Sequence, residues 1–260
     1  MRYYSLFCSM ALMIAAAAAS AARPVLIEEF TATWCPYCYG AGLALDRIEA
    51  EYPRSKAIIL VYHINDDFAL DEGIFKYNYY GLNYVPTTIF NGVIREEGYG
   101  SLKSAGKTGV TTVYNKFVAD IAQETSRTDA VEPFWLTLTG NVGPANPKLT
   151  LTVVTPTGYA RAVKARFYIV EDGIPVTASN GQTVLNGVAR VSLGEQQVYL
   201  PTKGGTVTLT ASLTGTVPNV NATKLRPVVF LQDDTTKEIL AAVGVFYVRT
   251  AARGSWLLYR

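Results

Sequence analysis

The apolar pattern changes period near Arg127, and no other feature narrows the available folds as much. Upstream, residues 25–30 read as a strand. A helix follows over about 35–52, with Ala41, Leu45, Ile48 and Tyr52 on one face. Pro53 stops it, because the residue before a proline avoids helical geometry. Residues 57–64 form a continuous apolar run, as expected for a central parallel strand buried on both faces. Residues 71–80 predict a second helix capped by Gly81. Asn91-Gly92 joins residues 85–90 to 93–95 as a hairpin. Val110, Val113, Tyr114, Phe117 and Ile121 recur at the spacing of a third amphipathic helix. The order strand, helix, strand, helix, hairpin, helix predicts an α/β unit with a mixed sheet.

Downstream, Thr, Val and Gly dominate and no helical pattern is seen. Strands are expected at 134–138, 149–154, 163–170, 189–193, 197–200, 206–213, 228–232 and 239–247, with Gly, Pro and Asn between them. That spacing predicts an all-β sandwich of immunoglobulin type. The expected division is a signal peptide over 1–21, an α/β domain over 22–127 and the β-sandwich over 128–250. Residues 128–133 serve as linker, and 251–260 form a tail without an assigned role.

Arg2, the apolar run over about 6–19 and the small residues Ala19-Ser20-Ala21 fit a cleaved export signal. No other apolar stretch is long enough to span a bilayer, so the mature chain is expected to carry no transmembrane span. The net charge of +2, with acid and base mixed along the chain, argues against a nucleic-acid partner. Export implies a periplasmic, outer-membrane-associated or secreted protein, in which cysteines usually bridge distant segments. Cys8 leaves with the leader, so Cys35 and Cys38 remain, and they close only a tiny loop. Such a loop removes little chain entropy, so the pair is better explained by chemistry than by stability.

The pair stands where a strand gives way to a helix. Helix N-termini carry unpaired N–H groups and partial positive charge, and both stabilise a thiolate, the reactive form of cysteine. Pro36 suits a first helical turn. The spacing sets Cys38 one turn beyond Cys35, within reach of a disulfide. Cys35 is then the attacking thiol and Cys38 the resolving one.

Trp34-Cys35-Pro36-Tyr37-Cys38 after an apolar strand resembles the active site of the thioredoxin superfamily. The segment Tyr80-Gly81-Leu82-Asn83-Tyr84-Val85-Pro86-Thr87 resembles the one that ends in that family's cis-proline. The resemblance implies an α/β thioredoxin-like domain, with Pro86 cis and facing the cysteines. It implies substrate contacts from Trp34, Pro36, Tyr37, Val85, Pro86 and Thr87. It also implies a buried acid, here Glu29, that moves the proton of Cys38. Residues 62–63, 79–81, 90–92, 228–233 and 236–240 further resemble the bacterial family named after the outer-membrane protein of twenty-eight kilodaltons. That family joins a thioredoxin-like domain to a C-terminal β-sandwich.

The reading that follows is disulfide exchange with extracytoplasmic protein thiols or disulfides, supported by an unidentified redox-recycling partner. It needs no cofactor beyond the redox-active Cys35–Cys38 pair and no metal. A binding module on the same scaffold and a copper-handling dithiol protein are the alternatives; zinc would need four ligands, and the mature chain offers one histidine beside the two cysteines. His63 reads either as a strand-end core residue or as a modulator of thiol ionisation. Asp66, Asp67, Asp71 and Glu72 read as a solvated loop and helix start, and Asp233-Asp234 as a hairpin turn. Ala105-Gly106-Lys107-Thr108 lacks the glycine spacing of a phosphate loop and reads as a flexible connection.

Overall fold

The structure, a computed structural model, describes residues 23–98, 106–127, 134–245, 247–249 and 256–258. The expected leader over 1–21, the linker over 128–133 and part of the tail lie outside these residues. Among the described residues no helix is long and apolar enough to cross a membrane.

Strand β1 (Val25–Thr31) is buried along its whole length, as is β2 (Ala57–His63), which runs parallel to it. Helix α1 (Cys38–Glu51) connects them. Next come α2 (Asp71–Tyr79), β3 (Thr87–Phe90), β4 (Ile94–Glu97) and α3 (Gly106–Ser126). Side chains alternate along β1. Val25 and Ile27 pack with Leu45 and Ile48 of α1 and Phe117 of α3, whereas Leu26 and Phe30 pack on the side of Ile74 and Tyr77 of α2. Asn91 and Gly92 turn the β3–β4 hairpin with positive φ at both positions. Glycine is required at 92 because a Cβ there would collide with the Lys237 carbonyl.

The second half supplies β5 (Trp135–Asn141), β6 (Lys148–Thr155), β7 (Tyr159–Glu171), β8 (Ile174–Pro175), β9 (Val184–Leu185), β10 (Val188–Leu200) and β11 (Gly205–Ser212). A 3-10 turn at Ala222–Lys224 leads into β12 (Leu225–Gln232), β13 (Ile239–Val243), β14 (Tyr247–Arg249) and β15 (Trp256–Leu258).

The expected architecture, an α/β thioredoxin-like domain followed by a separate immunoglobulin-like sandwich, is overturned here. Eight strands from both halves form one mixed sheet in the order β13-β12-β7-β10-β2-β1-β3-β4. The join is β10 against β2, with Val188 opposite Val61. An open edge on β2 would leave its backbone groups unpaired. Instead the Val61 N–H donates to the Gly187 carbonyl at 2.8 Å, and Arg226 donates to the Ile59 carbonyl at 3.2 Å. The apolar core crosses the join too. Tyr62 meets Tyr168 edge-on at 5.6 Å, and Tyr168 stacks on Phe230 at 5.9 Å.

Buried polar groups cross it as well. The Lys76 ammonium lies 3.1 Å from Glu28 and donates to Gln232 at 2.8 Å, while Arg166 donates to the same Gln232 oxygen at 2.9 Å. A smaller sheet, β11-β6-β5, does stack sandwich-fashion on this outer part of the large sheet, through Leu138, Leu151 and Val153 against Phe167, Val229 and Leu231.

Several local expectations also change. Helix α1 begins at Cys38 rather than Cys35. The two strands expected at 189–193 and 197–200 are one strand, β10, carrying register shifts against β7. Gly106, Lys107 and Thr108 open α3 instead of forming a loop. Asp66 is no solvated surface acid: its side chain is 5% exposed and bonded to His63.

Candidate functional site

The segment Ala32–Cys38 leaves β1 and reaches α1 through two tight turns. The Cys35 N–H donates to the Ala32 carbonyl at 3.2 Å, and the Cys38 N–H to the Cys35 carbonyl at 3.3 Å. Cys35 and Cys38 are joined as a disulfide, with Cα atoms 5.4 Å apart. The Cys38 N–H also lies 3.2 Å from the Cys35 sulfur and points to it. This amide is one of those that the start of α1 leaves without an intrahelical partner. On the other side, the Cys35 sulfur contacts the Val85 carbonyl oxygen at 3.6 Å. The Val85–Pro86 bond is cis.

The loop after β2 clamps the segment from below. Asp66 accepts from the Thr33 N–H at 2.8 Å and from its hydroxyl at 3.1 Å. Asn65, held at positive φ, turns its carbonyl to accept the Trp34 indole N–H at 3.1 Å. With its nitrogen engaged, the Trp34 ring stays half exposed beside Cys35, and Tyr37 and Tyr84 are exposed near it in sequence and on the Val85 segment.

The structure thus brings Trp34, Cys35, Pro36, Tyr37, Cys38 and Val85 into one place. Pro86 is buried behind Val85. Thr87 is buried too, and its hydroxyl donates to the Tyr84 carbonyl at 2.9 Å, so it braces the loop rather than facing outward. Cys35, expected to be exposed, is only 2% accessible in the disulfide form.

Glu29 is buried on β1, where Thr88 of the neighbouring β3 donates to one of its oxygens. Burial pushes its carboxyl up to about 8, against a smaller downward pull from that hydrogen bond. It is therefore largely protonated near neutral pH. Asp66 behaves oppositely. Burial disfavours its charge, but hydrogen bonds from His63, Thr33 and Phe68 prevail and hold it below its ordinary range.

One contributor was not legible in the sequence. The tip of the β8–β9 hairpin, from the second half of the chain, lies over the cysteine loop. The Asn180 N–H and the Ser179 hydroxyl donate to the Thr33 carbonyl at 3.1 and 3.2 Å. The Asn180 side-chain amide donates to the Ala32 carbonyl at 3.2 Å, and Asn180 is itself buried. Ser179-Asn180-Gly181 signals a turn, but nothing local says where the turn lands. No group of three or more metal-ligating side chains converges among the described residues.

No protein-family model matches the sequence, and no curated protein matches it. Among solved structures the chain is similar to HBP35 of Porphyromonas gingivalis, with a TM-score of 0.63 at 14% identity over 93% of this chain and 86% of that one. This likeness runs through both halves of the chain and shows a common fold. Partial matches include β-glucosidases of Kluyveromyces marxianus (TM-score 0.25, 14% identity, 43% of this chain and 14% of that chain) and Listeria innocua (0.24, 16%, 43% and 16%).

Proposed function

We propose that this chain is an exported thiol–disulfide oxidoreductase acting on extracytoplasmic proteins, with Cys35 attacking and Cys38 resolving. The observation that carries the reading is the Cys38 N–H aimed at the Cys35 sulfur at 3.2 Å. A helix-start amide held there stabilises negative charge on that sulfur in the reduced protein. The likeness of Trp34–Cys38 and of the Val85–Pro86 segment to thioredoxin active sites supports the same chemistry.

In the reducing direction, the Cys35 thiolate attacks one sulfur of a substrate disulfide. A Cys35–substrate S–S bond forms, and the substrate's other sulfur leaves as a thiolate and takes up a proton. Cys38 then loses its proton and attacks the Cys35 sulfur. The second substrate thiol is released, and two electrons have passed from the pair to the substrate. Oxidation of a substrate dithiol runs the same steps backward. Val85, half-buried with its carbonyl beside the sulfur, offers a backbone acceptor to an extended substrate strand, and Trp34, Tyr37 and Tyr84 supply an aromatic rim.

Cysteine trapping tests the proposal. Cys38→Ser should accumulate covalent complexes with extracytoplasmic proteins, because the mixed disulfide cannot be cleared. Cys35→Ser should trap none. Equal trapping by both variants would reverse or remove the assignment of roles. If neither traps and the wild-type chain turns over no model disulfide, the binding-module reading takes its place.

A further inference from the structure

Below α1 lies a cavity of about 20 Å³, large enough for one water molecule. Two of its lining residues each leave a buried polar atom without a partner: Oε1 of Glu29 and Nε2 of His63. Glu29 and His63 come from adjacent parallel strands, with Thr31 opposite His63 in the register. Two orphaned buried atoms on one small cavity are what a single bridging water would satisfy.

The tautomer of His63 follows from its other nitrogen. Nδ1 lies 2.7 Å from Asp66 Oδ2, and the Asp66 carboxylate also accepts from the Thr33 and Phe68 N–H groups. An acceptor-only carboxylate requires Nδ1 to donate. In the neutral ring this leaves Nε2 as an acceptor facing the cavity.

We infer that His63 is a positioning residue for proton movement, taking the proton of Glu29 through a cavity water while the Asp66 carboxylate pairs with the imidazolium that forms. The inference rests on the exchange reading for the origin of that proton. When Cys38 attacks, its S–H bond breaks, and the likeness to thioredoxin active sites routes that proton to the buried Glu29. Glu29, once loaded, returns to a base by releasing a proton to the water, which hands one on to His63 Nε2. The imidazolium so formed is balanced by Asp66. Burial holds the Glu29 proton up to about 8, so its release at neutral pH is the step that calls for an acceptor across the cavity.

The other charged groups facing this cavity are Asp46 and Glu49 of α1. Asp46 is raised by burial and takes a hydrogen bond from Asn186 at 2.8 Å, while Glu49 is paired with Arg54 at 2.6 Å. Neither is bonded to His63. Gln182 and Asn186 of the second half complete the wall, so the shared sheet and its hairpin close the space in which the water would sit.

The test uses the full chain as wild type, His63→Gln, Asp66→Asn and Glu29→Gln, each checked for cooperative unfolding and a wild-type circular dichroism spectrum. Carbon-13 NMR follows the Glu29 carboxyl through a pH titration of the oxidised protein. Stopped-flow measurement follows clearance of a Cys35–glutathione mixed disulfide by Cys38 between about pH 5.5 and 9. The expected result is a displaced Glu29 midpoint in His63→Gln and a clearance rate at least ~10-fold lower below pH 7. The difference should close above about pH 8, where Glu29 is already unloaded. Asp66→Asn should act in the same direction. An unchanged Glu29 midpoint, a superimposable pH profile, or a uniform loss at every pH would each overturn the relay. If the wild-type chain clears no mixed disulfide at any pH, the exchange reading fails and the relay built on it fails with it. An intact wild-type rate with an unaltered His63 variant sinks the relay alone.

Discussion

Glu29 shows how one buried residue links the site to stability. Its carboxyl is raised from the ordinary 4.5 to about 8 by burial. Between those values the folded chain binds a proton that the unfolded chain has lost. Stability therefore falls as pH rises through this window. The penalty is absent below about 4.5 and complete above about 8. Glu29→Gln keeps an acceptor for Thr88 and carries no charge, so it should be indistinguishable from wild type near pH 4 and more stable by on the order of 5 kcal/mol near pH 9. Urea unfolding at both pH values checks this; equal pH dependence in the two proteins would mean that Glu29 ionises freely in the fold. In the sequence, Glu29 and Glu28 look alike. The pleat separates them: Glu28 turns to Lys76, Tyr62 and Tyr80, while Glu29 turns to Thr88 and the cavity.

At the scale of elements, the β8–β9 hairpin decides how open the cysteine loop is. Its tip supplies donors to the Thr33 carbonyl and a second donor to the Ala32 carbonyl, which already accepts the Cys35 N–H. Asn180→Ala removes the buried donor to Ala32 and to Gln182, which should cost about 1–3 kcal/mol. It should also speed reduction of the Cys35–Cys38 disulfide by a small thiol, because the covering tip is loosened. Reduction no faster than wild type would mean that access comes from the Trp34 and Tyr84 side alone. Strands β8 and β9, each of two residues, carry too short a pattern to be read beforehand. The longer elements with a clear period, β1, β2, α2 and the β3–β4 hairpin, were legible to within a residue or two.

For the whole molecule, the eight-stranded sheet makes the two halves depend on each other. Cut at Arg127, the first half would lose β10 from the edge of β2, Tyr168 and Phe230 from its core and Gln232 from Lys76. Lys76 and Glu28 would then meet water or each other without the groups that now satisfy them. Residues 23–127 expressed alone should therefore fail to fold cooperatively. The full chain should unfold in one transition, with tryptophan fluorescence and far-ultraviolet circular dichroism coinciding. A folded 23–127 fragment, or two separated transitions, would restore independent halves.

Features under local rules can be read directly from the order of residues. Period and punctuation mark out the strands and helices. Asn91-Gly92 dictates its hairpin, because the turn needs positive φ at both residues. The spacing of Cys35 and Cys38 at a strand-to-helix junction limits them to a local disulfide beside a helix start. Other features arise only when the chain is folded. Val188 opposite Val61, Asn180 on Ala32 and Gln232 on Lys76 each join residues far apart in the chain. Either half reads as a plausible domain, since a hydrophobic pattern says which face of a strand is buried and not which strand lies alongside its edge. Edge pairing runs through backbone N–H and C=O groups that nearly every residue carries, so it leaves almost no mark in the order of side chains. The cavity between Glu29 and His63 has the same origin, for it exists only where β1, β2, α1 and the hairpin meet.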